Sequence, residues 1–367
     1  MPKKLWNIWA ALLLLAICGF SPTLVNNGPW SFSPSALEPV IGGAGEASPP
    51  TVIPSSREVT HLRWGLRAIK APEAWEITQG SEEIVIAVID GGIDYTLPIL
   101  ADRMWRNPGE IPGNGIDDDG NGYIDDVQGW DFRDDDPDSL EGTPLNWHGT
   151  FVAGLIAAAV DAATGIGGVA PRVKLMDLRF LDSRGLFYKN DWPKFAEAID
   201  YAVANGARVI NISIYSRVTP PDYVRRAIKR AVRSGVLVVT IAGNTGAEVG
   251  PLGRLPEVLT VAAVDKNRTS ATFSSRGPEV DLAAPGVKVI SIVPGGAATA
   301  SSGTSFAAPH VAGVAALLLS VEPNLSPEGV AEILRSTAED LDFPGKDPST
   351  GFGLVDAAAA VQTILGS

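Results

Sequence analysis

The chain has 367 residues, a formal net charge of −13, and 45% hydrophobic against 19% charged residues. That composition belongs to a globular chain with a substantial core, and the length allows one large α/β domain or two smaller ones. The acidic balance argues against nucleic acid and anionic membrane as partners. The single cysteine, Cys18, lies near the N-terminus, so the chain beyond it holds no disulfide, thiol nucleophile or thiolate zinc site.

Lys3 and Lys4 precede an apolar run from about Trp9 to Phe20. Residues 1–20 read as a secretory signal, short for a membrane span. Leu15-Ala16-Ile17-Cys18-Gly19 is a poor lipoprotein box, with bulky Ile17 where a small residue is expected. Soluble export is therefore the expectation, and anchoring through the N-terminus the alternative. Residues 21–60 are rich in Pro, Gly and Ser without sustained periodicity, and read as a linker or disordered arm. So few apolar residues cannot build the core of a folded pro-domain.

Residues 61–367 form the main domain. Apolar runs predict strands over 84–89, 173–178, 209–214, 236–241, 258–264 and 287–292. Helical patterns cover 148–160, 191–205, 221–233, 305–319 and 327–337. Short apolar strands alternating with helices predict a three-layer α/β fold, a mostly parallel sheet covered on both faces. Ligands of such sheets bind beyond the carboxyl ends of the strands.

Three stretches carry candidate chemistry. The first is Asp90-Gly91-Gly92-Ile93-Asp94, directly after an apolar strand. The second is His148-Gly149-Thr150-Phe151-Val152-Ala153-Gly154, opening a small-residue helix. The third is Gly303-Thr304-Ser305-Phe306-Ala307-Ala308-Pro309-His310, which opens another. A serine at a helix N-terminus meets unused N–H groups and the positive end of the helix dipole. That environment suits a nucleophile whose attack creates an oxyanion. Pro309 is expected in the first turns, where its missing N–H costs little.

An Asp, a His and a Ser in this order and setting resemble the subtilisin-like serine proteases. The resemblance runs from about Leu62 to Leu365; Trp64-Gly65-Leu66-Arg67-Ala68-Ile69 and Ala71-Pro72-Glu73-Ala74-Trp75 are similar to the family's entry into the mature domain. It implies a serine endopeptidase acting on peptides or proteins, as a monomer. Asp90 would orient His148, and His148 would take the proton of Ser305. Asp94 is a rival to Asp90 in the same turn. His310 reads as a buried structural histidine and His61 as a solvated one. Asn244, within Ala242-Gly243-Asn244, resembles the family's oxyanion-hole asparagine. Ser213, Ile214 and Tyr215, with Ala242 and Gly243, resemble the segments that line the substrate cleft, its opposite edge lying near residues 186–190. Relatives usually have glycine where this chain has Tyr215, which leaves open whether its ring narrows the pocket or turns away. Two departures, Tyr215 and the absence of a recognisable pro-domain, keep a dedicated maturation protease in view. A catalytically silent peptide binder on the same fold is the alternative from another class. No Gly-x-Ser-x-Gly elbow surrounds Ser305, which argues against an α/β-hydrolase esterase.

The interval between Asp90 and His148 is long for this family and holds an acidic insert near 107–138. Within it Asp117, Asp119, Asn121, the Tyr123 carbonyl and Asp125 take positions 1, 3, 5, 7 and 9 of an EF-hand-like loop, with Gly122 at position 6. Gln128 stands where a bidentate Glu is expected, so Asp126 or a more distant carboxylate would have to complete a Ca2+ site. The other reading is a solvated acidic loop. A second acidic run, 131–138, has no ligand spacing.

Overall fold

The computed structural model describes residues 39–40, 49–52 and 64–366, apart from 141, 143 and 162–165. The signal segment, most of the Pro-rich arm and His61 lie outside the described residues. Two pieces of the arm are extended, β1 (Pro39–Val40) and β2 (Thr51–Val52). The domain opens with two short helices, α1 (Trp64–Ala68) and α2 (Ala71–Ala74), the second carrying Pro72 in its first turn, where a missing N–H is harmless. Then come β3 (Val85–Asp90), α3 (Pro98–Ala101), β4 (Gly129–Asp131), α4 (Trp147–Ala157), β5 (Lys174–Arg179) and β6 (Phe187–Tyr188). The second half holds α5 (Trp192–Ala204), β7 (Val209–Ile212), α6 (Asp222–Arg233), β8 (Leu237–Ile241), β9 (Leu259–Val264), β10 (Leu282–Pro285), β11 (Val289–Ile292) and β12 (Ala298–Ser301). It ends with α7 (Thr304–Val321), α8 (Pro327–Ser336) and α9 (Ala357–Leu365).

Seven strands form one parallel sheet in the order β10-β9-β8-β7-β3-β5-β4. Both faces are covered, and β3 shows how its sequence achieves this. Ile86 and Val88 enter the core under α4 and α7, whereas Val85, Ala87 and Ile89 enter the core under α5 and α6. A strand buried on both sides needs continuous apolar character rather than alternation. After β3 the chain runs out to the edge strand β4, returns as β5 between β4 and β3, then crosses over to build β7 to β10 on the other side. The order therefore reverses between β3 and β7, and ligands bind beyond the strand ends at such a reversal. Asp90 ends β3, and Ser213 follows β7.

The α7 helix is long and apolar enough to cross a membrane by length and composition, yet it is buried inside the protein from Thr304 to Leu319. It packs against β7, β8, β9 and β10 as the central core helix. Each fully buried Leu or Val there contributes about 1.5–3 kcal/mol.

Three strands of the domain depart from the sequence reading in ways that shape its sheets. The expected strand at 287–292 forms as β11, but it joins a separate antiparallel sheet of order β11-β12-β2. Gly295 and Gly296, with φ of +83° and +82°, fold the chain back there into a hairpin. The edge of the central sheet is instead β10, whose Leu-Ala-Ala-Pro sequence has no β-branched residue to mark it. The other edge, β4, lies inside the acidic insert. It requires Gly129, which has φ +136° and would drive a Cβ to 1.8 Å from the Asp177 carbonyl oxygen.

Candidate active site

The Asp90 turn and the start of α4 meet at very close range. A Cβ on Gly149 would stand 2.4 Å from the Gly92 carbonyl oxygen, so only glycine lets the helix approach. The helix is capped by Asn146, whose side chain accepts the His148 N–H at 3.0 Å and anchors to the Ser183 carbonyl at 3.1 Å. His148 is thus left to point its ring at the strand end. Its Nδ1 lies 2.9 Å from both carboxylate oxygens of Asp90, and both residues are buried. A carboxylate only accepts, so Nδ1 carries the proton and Nε2 holds the lone pair. Nε2 is buried and has no hydrogen-bond partner. Trp147 and Phe306 flank the imidazole, at centroid distances of 5.5 and 5.3 Å.

Asp94 does not meet the imidazole. Its oxygens accept from Thr96 N–H and O–H and from the Gly295 N–H, which ties the turn to the β11–β12 hairpin.

Ser305 is the second residue of α7, so its N–H belongs to the first-turn donors that the helix itself does not use. Its Oγ donates to the Ser213 carbonyl at 3.3 Å. Phe306, the residue after Ser305, packs on the His148 ring, while the serine hydroxyl is directed to the segment that follows β7.

The helix start corrects the reading of Pro309. With α7 beginning at Thr304, Pro309 is its sixth residue, beyond the unpaired first turn. The N–H that proline lacks would have reached the Ser305 carbonyl, four residues back. Ser213 supplies the replacement: its Oγ donates to that carbonyl at 2.9 Å, while accepting from Asn211 Nδ2 at 3.0 Å. Ser213 thus touches Ser305 twice, and sequence reading gave it only a place along the cleft.

Asn244 follows β8 across the site. Its Oδ1 accepts both the Thr304 N–H and the Thr304 hydroxyl, each at 2.8 Å. A backbone N–H can only donate, which fixes which end of the amide is oxygen. The Nδ2 group is left facing away from Thr304. The neighbouring Gly243 N–H donates to Thr304 Oγ1 at 3.3 Å, so Ala242, Gly243 and Asn244 are pinned to the start of α7. Sequence reading missed Thr304, and its only signal was its position beside Ser305.

The Tyr215 ring turns inward. Its Cε2 lies 2.8 Å from where a Cβ would stand on Gly243, and again 2.8 Å from the same point on Gly250. His310 is buried beneath α7, where its Nδ1 donates to the Phe306 carbonyl at 2.7 Å. Burial pushes its pKa down to about 4, and it takes no part in the cluster around Ser305.

The insert brings together a set of carboxylates that overlaps the expected one only in part. Glu110, Asp119 and Asp126 place oxygens within 4.8 Å of one another. Asp117 instead accepts from the N–H groups of Asn121 and Gly122, and Asp125 from those of Asn114 and Gly115. Asn121 donates to Asp119 and Asp126, and Tyr123 turns its ring onto Trp130. The second acidic run is structural. Asp131 and Arg179 form a fully buried ion pair at 2.9 Å. Asp177, close by, accepts from Ser139 Oγ at 2.6 Å and from the Ile93 N–H at 3.0 Å. Burial pushes the Asp177 carboxyl up to about 7.

A parallel α/β sheet that carries an Asp–His pair and a helix-start serine at its switch point has the architecture of a serine-type peptidase. A model of the subtilase family matches residues 81–353, and the chain belongs to that family, whose members are serine-type endopeptidases. Thermitase of Thermoactinomyces vulgaris is 33% identical over 310 residues, which cover 84% of this chain and 99% of that protein. Subtilisin E of Bacillus subtilis (strain 168) is 35% identical over 306 residues, 82% of this chain and 71% of that protein. A thermophilic serine proteinase of Bacillus sp. (strain AK1) is 39% identical over 273 residues, 74% of this chain but only 60% of that protein's length.

Proposed function

We propose that this chain is an exported endopeptidase that cleaves peptide bonds through Asp90, His148 and Ser305, with an acyl-enzyme on Ser305. The observation that carries this reading is the buried His148 ring, held by Asp90 at Nδ1 and leaving Nε2 without a partner. A buried nitrogen with no partner is costly unless something uses it. Here it is the base. Attack requires the Ser305 hydroxyl to exchange the Ser213 carbonyl for Nε2; in ligand-free enzymes such hydrogen bonds are often loose.

His148 Nε2 takes the hydroxyl proton as Oγ bonds to the substrate carbonyl carbon. The imidazolium is stabilised by Asp90, which keeps its negative charge. The oxyanion receives the Ser305 N–H and Asn244 Nδ2. Collapse breaks the C–N bond, and His148 gives its proton to the leaving amine. Water, deprotonated by the same nitrogen, then releases the acyl group.

Substrate adds as a strand along residues 213–215 and the opposite edge at 186–190. That edge already accepts a strand: Pro39–Val40 of the chain's own arm pairs antiparallel with Phe187–Tyr188. Export rests on the N-terminal signal pattern, with anchoring through the N-terminus as the alternative. The acidic surface fits no nucleic acid partner.

The carboxylates of Glu110, Asp119 and Asp126 are a hard-oxygen donor set that fits Ca2+. Bound calcium would neutralise their mutual repulsion. Asp126 accepts from the Tyr201 hydroxyl at 2.5 Å, so the ion would fasten the insert to α5.

The test is labelling with a fluorophosphonate, followed by mapping of the modified peptide and comparison with Ser305→Ala. Modification at Ser305, and loss of peptidase activity in the folded variant, are expected. Near wild-type turnover in Ser305→Ala would overturn the mechanism.

A further inference from the structure

The Tyr215 ring packs on Gly243 and Gly250, beside the segments that flank Ser305. Ser305 sits between the segments that follow β7 and β8. On one side Ser213 is bonded to both its hydroxyl and its carbonyl. On the other, Gly243 and Asn244 are bonded to Thr304. A substrate strand lying along 213–215, with its scissile carbonyl oxygen turned to Asn244, sends the side chain of its carbonyl residue into the gap between these segments. The Tyr215 ring crosses that gap. Its Cδ2 and Cε2 edge lies 3.0 and 2.8 Å from the Cβ point of Gly243, and 3.1 and 2.8 Å from that of Gly250.

The ring is not a loose flap. Its edge rests on the backbone of two glycines from the facing loop. A Cβ at either position would stand closer to the ring than side chains tolerate, so each glycine is matched to the tyrosine. Gly243 also has φ +112°, where other residues are strained. The ring is half-buried and packs on the main core. Swinging it out would leave a void beside the nucleophile, with the contacts of the ring lost.

We infer that Tyr215 is a specificity-determining residue, and that its ring fills the pocket beside Ser305 so that only small side chains (Gly, Ala, Ser) fit at the residue before the cut. This assignment rests on the catalytic reading above. It follows from chemistry on both sides of the gap: an aromatic ring supplies the volume that a large substrate side chain would otherwise bring. Substrates with Leu or Phe at that position must displace a packed ring before they reach the oxyanion donors.

The test uses the full-length protein and four tetrapeptide p-nitroanilides that differ only in their last residue: Gly, Ala, Leu or Phe. The wild type is expected to cleave the Ala peptide at least about tenfold better in kcat/KM than the Phe peptide, within the range that pocket size alone supplies. Tyr215→Gly should shift that ratio toward Phe by on the order of a hundredfold. Tyr215→Phe should keep the wild-type preference, because the ring and not the hydroxyl fills the space. Should Tyr215→Gly fail to fold, cut sites of the wild type mapped by mass spectrometry in an unfolded protein substrate give the same reading. Small residues before the cut support the proposal, and frequent large aromatic or branched residues overturn it. An active wild type with no size preference, or an unchanged ratio in Tyr215→Gly, defeats the Tyr215 assignment alone. A wild type that cleaves none of the peptides nor the protein, and matches Ser305→Ala, defeats the catalytic reading and this one with it.

Discussion

Replacing Ser213 with alanine tests how the fold tolerates a proline in its central helix. Ser213 Oγ donates to the Ser305 carbonyl at 2.9 Å and accepts from Asn211 Nδ2 at 3.0 Å, and all three residues are fully buried. Ser213→Ala removes a donor from the Ser305 carbonyl and an acceptor from Asn211 Nδ2. At about 1–3 kcal/mol for each buried group that loses its bond, the variant should lose about 2–6 kcal/mol. For a domain of this size that corresponds to a Tm drop on the order of 5–15 °C. The decisive measurement is a double-mutant cycle with Pro309→Ala, by urea denaturation in a His148→Ala background that prevents self-digestion. Alanine in place of Pro309 restores an N–H aimed at the Ser305 carbonyl. In the wild-type background that carbonyl already has a donor, whereas in Ser213→Ala it has lost one. Pro309→Ala should therefore stabilise Ser213→Ala by at least about 1 kcal/mol more than it stabilises the wild type. Equal effects in the two backgrounds, within about 0.5 kcal/mol, would refute the compensation.

Asn244→Ala should lower kcat by about a hundredfold or more with KM nearly unchanged, a general magnitude that itself comes from subtilisin; a raised KM with intact kcat would make Asn244 a ground-state binder. Asp177 has a folded-state pKa of about 7, above its unfolded value of about 3.8, so the folded state binds the extra proton between those values. Stability should therefore fall as pH rises from about 4 to 7, and then level off. Asp177→Asn should flatten that decline, whose ceiling is about 4 kcal/mol, and urea midpoints across this window that keep the wild-type slope would contradict it. If calcium binds the insert, chelation should lower Tm and excess calcium restore it, worth about 2.7 kcal/mol at a hundred times Kd. Asp119→Ala and Glu110→Gln should each remove that response, and melting curves indifferent to chelator and calcium would leave the loop a solvated one.

The chain by itself determined the layered α/β class. Runs such as Val85–Asp90 and Leu259–Val264 have no polar face, and only a sheet covered on both sides can hold them. Asp90, His148 and Ser305 could be picked out as candidates because each stands where a periodic segment begins or ends, and their order carries the family resemblance. Asn244 is a candidate for the same reason, at the end of β8.

What sequence could not decide depends on contacts between distant segments. Leu282–Pro285 becomes an edge strand only because β9 offers a free edge, while the stronger strand signal at 289–292 goes to a hairpin. The choice of Asp90 over Asp94 is a matter of which carboxylate faces the imidazole. Asp119 meets Glu110 and Asp126, not Asp117 and Asp125, because the path of the insert, and not the spacing along it, decides which carboxylates come together. Ser213 has no mark in the sequence as a donor to the Ser305 carbonyl, 92 residues away, to which Pro309 offers no helical N–H. Nor could the sequence aim the Tyr215 ring, because the two glycines that receive it belong to another loop. Local pattern fixes the elements, since it reports which faces must avoid water. Pairings between loops are set by the sheet order, which brings β3, β7 and β8 together only once the chain has closed on itself.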